Sequence, residues 1–202
     1  MISTDEMFMR FTNVSHNYSA LIDDTEYTKE YSTESIGLEI GYYSQSKADL
    51  YIKGTKRGKL INRIPKVFTG FKYCFKDGIL IIASRVIGNK VFEMTFLDYS
   101  NNYCFGYTYA LTGGFIPTRC FIYEIIGNRI VAFKSSNSYH TQDENVSHPA
   151  IILDECYSYS DNILCGIDVK QSFYYFQSRE ECVLNRTLFN SYNGKFWIPS
   201  NE

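Results

Sequence analysis

The sequence predicts a mainly β protein built as an antiparallel meander, and three observations support this prediction. From about residue 35 onward, short runs of alternating apolar and polar residues are separated by turn residues every 8 to 14 positions. The chain holds 18 Tyr and 15 Phe, and aromatic side chains suit the half-buried surface of a sheet. Asp77-Gly78 and Gly88-Asn89 accept the positive φ of tight hairpin turns. We expect the strands to form a sandwich, a barrel or a small propeller-like sheet.

Residues 1–34 are the least β-like part of the chain and predict a helical or irregular segment. Ser3 to Glu6 resemble a helix-capping signal, and Met7, Phe11 and Val14 follow at helical spacing. One short N-terminal helix is therefore expected.

The clearest strands lie between Phe71 and Ala110. Alternating residues 71–75 are followed by the turn at Asp77-Gly78, an apolar return at 79–86, and a second turn at Gly88-Asn89. Residues 91–96 and 103–109 continue the pattern with a turn at 98–102 between them. This stretch predicts four consecutive antiparallel strands.

A similar sequence pattern occurs three times: an aromatic strand, a turn with Asp, Asn or Gly, and an Ile/Leu-rich strand. Its copies are FKYCFKDGIL (71–80), CFIYEIIGNRI (120–130) and CYSYSDNIL (156–164). Their spacing is irregular, which does not predict a regular repeat architecture. A chain of 202 residues lies within the range of one all-β domain, so residues 1–202 are expected to form a single β-rich domain.

The N-terminal residues carry acids where a secretory signal needs bases, and no apolar run is long enough for a membrane span. We therefore expect a cytoplasmic protein. In that compartment the six cysteines are expected to be reduced thiols buried as small apolar side chains; they lie at positions 74, 104, 120, 156, 165 and 182.

The net charge of −2 conceals an uneven distribution. Residues 141–202 hold nine acids and four bases. The negative electrostatic potential of such a segment would speed association with a basic partner. Exposed tyrosines are suited to anchor such a contact. The predicted partner-binding residues are Asp143, Glu144, Asp154, Glu155, Tyr157, Tyr159, Asp161, Asp168, Tyr174 and Tyr175.

Two other functions remain open from the residues. The loop containing His140, Asp143, Glu144 and His148 has side chains that bind divalent metals, which would suit a metal-dependent hydrolase. The segment from Lys53 to Lys72 holds seven bases and no acid, which would suit a nucleic-acid-binding protein. No nucleophile elbow or phosphate-binding loop occurs, so no catalytic residue and no cofactor is predicted.

The three copies of this sequence pattern resemble hairpin units of small bacterial immunity proteins from polymorphic and contact-dependent toxin systems. The resemblance covers about a sixth of the chain. It implies a cytoplasmic, non-enzymatic inhibitor that binds one toxin or effector domain directly and blocks its active site. A basic toxin domain is the partner that agrees with the acidic C-terminal third, and any other β-rich binding protein, including a phage-encoded inhibitor, is a further alternative.

Overall fold

The computed structural model describes residues 2–14, 26–36, 41–42, 46, 48, 58–136, 150–161, 163–175, 177–184, 191–192 and 197–198. The helix whose bounds lie within these residues is α1 (Thr4–Val14). The strands are β1 (Thr28–Ser32), β2 (Gly70–Lys76), β3 (Ile79–Ile87), β4 (Lys90–Ser100), β5 (Tyr103–Ala110), β6 (Ile116–Ile126), β7 (Arg129–Ser136), β8 (Ala150–Ser160), β9 (Ile163–Tyr175), β10 (Glu180–Leu184), β11 (Ser191–Tyr192) and β12 (Trp197–Ile198).

Strands β1 to β10 form one antiparallel sheet in which each strand pairs with its neighbours in sequence. The sheet does not close into a barrel, and β11 and β12 form a separate pair. The predicted antiparallel meander with a short N-terminal helix is therefore confirmed.

The predicted turns are present, and their backbone explains the residues found there. Asp77, Asn89, Asn101 and Asp161 all have positive φ, between 49° and 68°. Asn and Asp tolerate this left-handed region better than other residues with side chains. One boundary differs from the prediction, because β4 continues to Ser100 and the turn begins only at Asn101.

Both faces of the sheet are apolar. The helix face packs against α1 and includes Phe96, Phe105, Tyr107, Cys120 and Ile152. The opposite face carries a second apolar cluster, which includes Tyr73, Leu97, Phe121, Tyr123, Phe133, Tyr157 and Val169. Ile36 and Ala48, from the chain between β1 and β2, are buried in that second cluster.

Three hairpins have the same construction and coincide with the three copies of the repeated sequence pattern: β2–β3, β6–β7 and β8–β9. In each, a buried tyrosine stands four residues before the turn and lies on the opposite face: Tyr73, Tyr123 and Tyr157. Each hairpin also has a register shift close to its turn, between positions 74 and 75, 124 and 125, or 158 and 159.

Equivalent hydrogen bonds connect neighbouring hairpins. The Tyr99 hydroxyl donates to the carbonyl oxygen of Leu80 over 2.9 Å, and the Tyr159 hydroxyl donates to that of Ile130 over 2.8 Å. Both acceptors lie beside a register shift, where the regular ladder is interrupted. Strands β2–β5 and β6–β9 are therefore two similar four-stranded halves.

Strand β1 was not predicted, since it lies within the segment expected to be helical or irregular. Its outer edge is paired with the chain at 58–61: Ile61 N donates to Tyr31 O over 2.9 Å, and Thr33 N donates to Lys59 O over 3.1 Å. This pairing satisfies backbone groups that an edge strand otherwise exposes.

The six cysteines are free thiols in two groups. Cys74, Cys104 and Cys120 are buried as predicted, whereas Cys156, Cys165 and Cys182 are exposed, contrary to prediction. Burial raises the pKa of Cys120 to about 12, with Arg119 lowering it in part. Among the described residues, no helix has the length and apolar character needed to cross a membrane.

Candidate functional site: an uncovered patch on the helix face

Residues on the helix face form three parallel rows across β5 to β9, because the strand register aligns them. The inner row is Tyr107, Cys120, Ser136, Ile152 and Ser172. The middle row is Phe105, Ile122, Lys134, Asp154 and Lys170. The outer row, nearest the hairpin turns of β6–β7 and β8–β9, is Tyr103, Glu124, Ala132, Cys156 and Asp168.

Helix α1 covers the inner part of this face. The Phe11 ring stacks on Tyr107 with centroids 5.3 Å apart, and Phe8 packs against Tyr174 at 5.1 Å. The Arg10 guanidinium lies 4.3 Å from the centroid of the Phe105 ring. These contacts place the helix across the strands from β9 to β5.

A polar network joins the start of α1 to the middle row. Lys134 Nζ lies 3.3 Å from Asp154 Oδ1 and donates to Thr4 Oγ1 over 3.1 Å. The Thr4 hydroxyl donates to Glu181 of β10, which also accepts from Ser172. Burial raises the pKa of Asp154, and the Lys134 ammonium partly offsets that rise. The network fixes the helix N-terminus against β7 to β10, and in the outer row Cys156 and Asp168 remain exposed while Tyr103 and Glu124 are half-buried.

The outer row and the turn-proximal residues beside it form a surface that we call the β6–β9 patch: Glu124, Ile126, Cys156, Ser158, Ile163 and Asp168. Alternation along β6 and β8 and the pairing of Asp168 with Cys156 place five of them on the helix face, and the register shift in β8–β9, which pairs Ile163 with Ser160, places Ile163 there too. Ile126 is 57 % exposed and Ile163 is 68 % exposed. Because adjacent strands lie about 4.8 Å apart, the patch is about 14 Å wide from β6 to β9. It therefore combines two exposed aliphatic side chains with carboxylates.

The electrostatic environment of the patch is acidic. The pKa of the Cys156 thiol is raised by partial burial first and then by Asp154 and Asp168, against a smaller lowering by Lys170. Burial also raises the pKa of Tyr103, and the neighbouring Glu124 carboxylate adds to that rise. The thiol at the centre of the patch thus experiences more negative than positive charge.

A small cavity adjoins the patch at the start of α1. Its apolar wall includes Ile2, Ile122 and Ala132, and its polar lining is Tyr103, Glu124 and Lys134. The cavity provides a concave feature beside the strands of the patch.

The predicted partner-binding residues do not form one surface. Asp161, Asp168 and Tyr175 are exposed, and of these Asp168 belongs to the patch. Asp154 adjoins the patch but is largely buried in its pair with Lys134. Tyr159 is half-buried, and its hydroxyl donates to the carbonyl oxygen of Ile130 on β7. Asp143 and Glu144 lie outside the described residues.

Three of the predicted residues are buried and serve packing. Glu155 is fully buried on the opposite face, where its carboxylate accepts from Tyr157 Oη at 2.7 Å and from Ala48 N at 3.1 Å. Tyr174 packs under α1, and its hydroxyl donates to Asp5 Oδ1 over 2.7 Å. These side chains are not accessible for a partner in this structure.

Five residues of the patch were not predicted to bind a partner: Glu124, Ile126, Cys156, Ser158 and Ile163. Their sequence signal is weak, because an isoleucine beside a hairpin turn occurs on either face of a strand. Only the register, which aligns Glu124 with Ala132 and Ala132 with Cys156, brings these residues together.

The residues of the two alternative functions are only partly described. His140 and His148 lie outside the described residues, as do Lys53, Lys56 and Arg57. Lys59, Arg63 and Lys66 are exposed in the irregular stretch before β2, and Lys72 is half-buried on β2. Within the part of the chain that the structure describes, no three His, Cys, Asp or Glu side chains converge as a metal-binding group.

Comparison of the chain with protein-family models, with curated proteins and with solved structures finds no match.

Proposed function

We propose that this chain is a non-enzymatic protein-binding module whose β6–β9 patch docks a basic partner protein. The observation that carries the proposal is the half-covered helix face, where α1 stops short of exposed Ile126 and Ile163 beside the Glu124 and Asp168 carboxylates. Exposed apolar side chains next to charged ones are typical of recognition surfaces. The patch has the size of the centre of an interface, so residues around it would complete the contact.

The partner class follows from charge. The face of the sheet that packs against α1, taken from β6 to β10 with α1 itself and the turn before β10, carries six carboxylates against five basic side chains: Asp5, Glu6, Glu124, Asp154, Asp168 and Glu181 against Arg10, Arg129, Lys134, Lys170 and Arg179. Glu124 and Asp168 both lie in the outer row, where a partner's lysines and arginines would reach them. Such complementarity chiefly accelerates association.

Within this class, the resemblance of the repeated hairpins to toxin-immunity proteins supports an inhibitor that acts in the cytoplasm by direct binding. The partner would then be a basic toxin or effector domain. The docked surface of the partner would include or adjoin its active site, which explains how binding alone would neutralise it.

The test begins with the tagged chain, used to isolate a stoichiometric partner from the native host. Association and dissociation rates of the purified pair are then measured at several salt concentrations. The double variant Glu124→Lys/Asp168→Lys should slow association about tenfold at low salt. Glu93→Lys, an exposed change on β4, is the charge control.

The apolar contribution is tested in the same assay. Ile163→Ser should accelerate dissociation about tenfold, since it removes a large aliphatic contact. Ile87→Ser, at the other end of the sheet and 37 % exposed, is the matched control. If the association and dissociation rates are the same for all four variants, the interface lies elsewhere. The absence of any stoichiometric partner would overturn the proposed function.

A further inference from the structure

Arg119 of β6 has an unusual environment on the opposite face. Its Cζ atom lies 5.5 Å from the centroid of the Phe121 ring and 5.7 Å from that of Phe133. Its Nε atom is buried and donates to no acceptor among the described residues. The side chain forms no ion pair within the described part of the chain, whereas Arg10 pairs with Glu6 and Arg179 with Asp5.

A second polar group near Arg119 is also without a hydrogen-bond partner among the described residues. The side chain of Ser135 on β7 is 1 % exposed, and its Oγ atom is buried without an acceptor or donor there. Ser135 lies opposite Phe121 in the register and two residues after Phe133. Because the Arg119 guanidinium lies over these two rings, it and the Ser135 hydroxyl occupy the same part of the face.

The adjacent strand adds hydroxyl groups. Thr108 of β5 lies opposite Arg119, and its hydroxyl is 2.9 Å from that of Thr95 on β4. Both threonines are buried. The surroundings of Arg119 are therefore polar on one side and aromatic on the other.

The chemistry of this arrangement favours an anion. A guanidinium that stacks on aromatic rings uses its face and leaves the N–H groups at its edge free to donate. A buried donor without an acceptor is unfavourable, and a negatively charged acceptor in a partly buried site binds it more strongly than water does.

We propose that Arg119, with the Ser135 hydroxyl, forms a binding site for a small oxyanion, either a carboxylate or a phosphate. The site lies on the face opposite the β6–β9 patch and does not depend on the proposed function. The guanidinium supplies the charge and paired donors, and the serine hydroxyl supplies a third donor.

The experiment is an NMR titration of the ¹⁵N-labelled full chain that follows the arginine Nε–Hε signals. Sodium acetate and inorganic phosphate are added separately, with sodium chloride at equal ionic strength as the control. The signal of Arg119 is assigned by its absence from Arg119→Lys, and Arg85→Lys, an exposed position on β3, is the control substitution.

We expect a saturable shift of the Arg119 signal with one or both oxyanions, and about tenfold weaker binding in Ser135→Ala, which removes only the hydroxyl. Saturation by acetate alone would identify a carboxylate site, and saturation by phosphate alone would identify a phosphate site. A shift that is absent, or that sodium chloride reproduces, would overturn the proposal. If Ser135→Ala binds the oxyanion with the affinity of the wild type, Ser135 is not part of the site.

Discussion

Gly106 on β5 is the position where the smallest substitution should have a large effect. Phe121 of the neighbouring strand lies across it: a Cβ atom added at Gly106 would be 1.8 Å from the Cζ atom of that ring. Carbon atoms in contact are about 3.5 to 4 Å apart, so the ring would have to withdraw by about 2 Å. The ring is confined by Tyr123 and Phe133, whose centroids are 5.1 and 6.0 Å away.

The expected cost of Gly106→Ala follows from these contacts. Overpacking of a dense core and partial loss of the buried ring cost about 3 kcal/mol together. Replacing glycine within a strand recovers about 0.5 to 1 kcal/mol. We therefore expect a net loss of about 2 kcal/mol in the free energy of unfolding, and a melting temperature about 4 to 8 °C lower for a chain of this length.

The assay is urea denaturation of four proteins: the wild type, Gly106→Ala, Phe121→Ala and the double variant. Without the Phe121 ring the added methyl group has space, so in that background Gly106→Ala should stabilise the protein by about 0.5 to 1 kcal/mol. The sign of the effect is thus expected to reverse. A loss below about 0.5 kcal/mol in the wild type, or an equal loss in both backgrounds, would refute this account of the contact.

Three further predictions concern the hairpin bonds, the buried ion pair and the thiols. Tyr99→Phe and Tyr159→Phe should each reduce the free energy of unfolding by about 1 kcal/mol, additively, in urea denaturation; a strongly unequal or non-additive result would contradict the equivalence of the two bonds. Lys134→Met should cost about 3 kcal/mol near pH 8. Because the folded-state pKa of Asp154 is raised, its contribution to stability is present at low pH and is lost as the pH rises through that pKa. Removing Lys134 raises the pKa further, so the deficit should shrink toward pH 5; a deficit that grows on acidification would exclude this mechanism. A thiol reagent at pH 8 should label three cysteines in the native protein and six after denaturation, the protected ones being Cys74, Cys104 and Cys120.

The order of strands was predictable because its signals are local. Asp77-Gly78 and Gly88-Asn89 determine where the chain turns, and the alternation of residues 71–75 and 103–109 marks the strands between them. Strand β1, with the sequence TKEYS, lacks such alternation. Its position depends on pairing with β2 and with the chain at 58–61, which is not a local property.

The binding surface was less predictable because both faces of the sheet are apolar. In a sheet with one solvent-exposed face, the alternation of apolar and polar residues shows which side chains are exposed. In this sheet it does not, because both faces carry apolar residues. Asp154 and Glu155 are neighbours in sequence, yet one pairs with Lys134 on the helix face and the other is fully buried on the opposite face. Tyr174 and Tyr175 differ in the same way, since only Tyr174 lies under α1.

The contacts of α1 have a consequence for the order in which the molecule folds. Each strand pairs with its sequence neighbour, so the meander can form progressively as the chain is synthesised. Thr4, however, bonds to Glu181, 177 residues later, and Asp5 bonds to Tyr174, 169 residues later. The helix is synthesised first but cannot complete its contacts until β9 and β10 exist. During that interval the aromatic helix face is unprotected, and this is the stage at which the nascent chain is most exposed to aggregation.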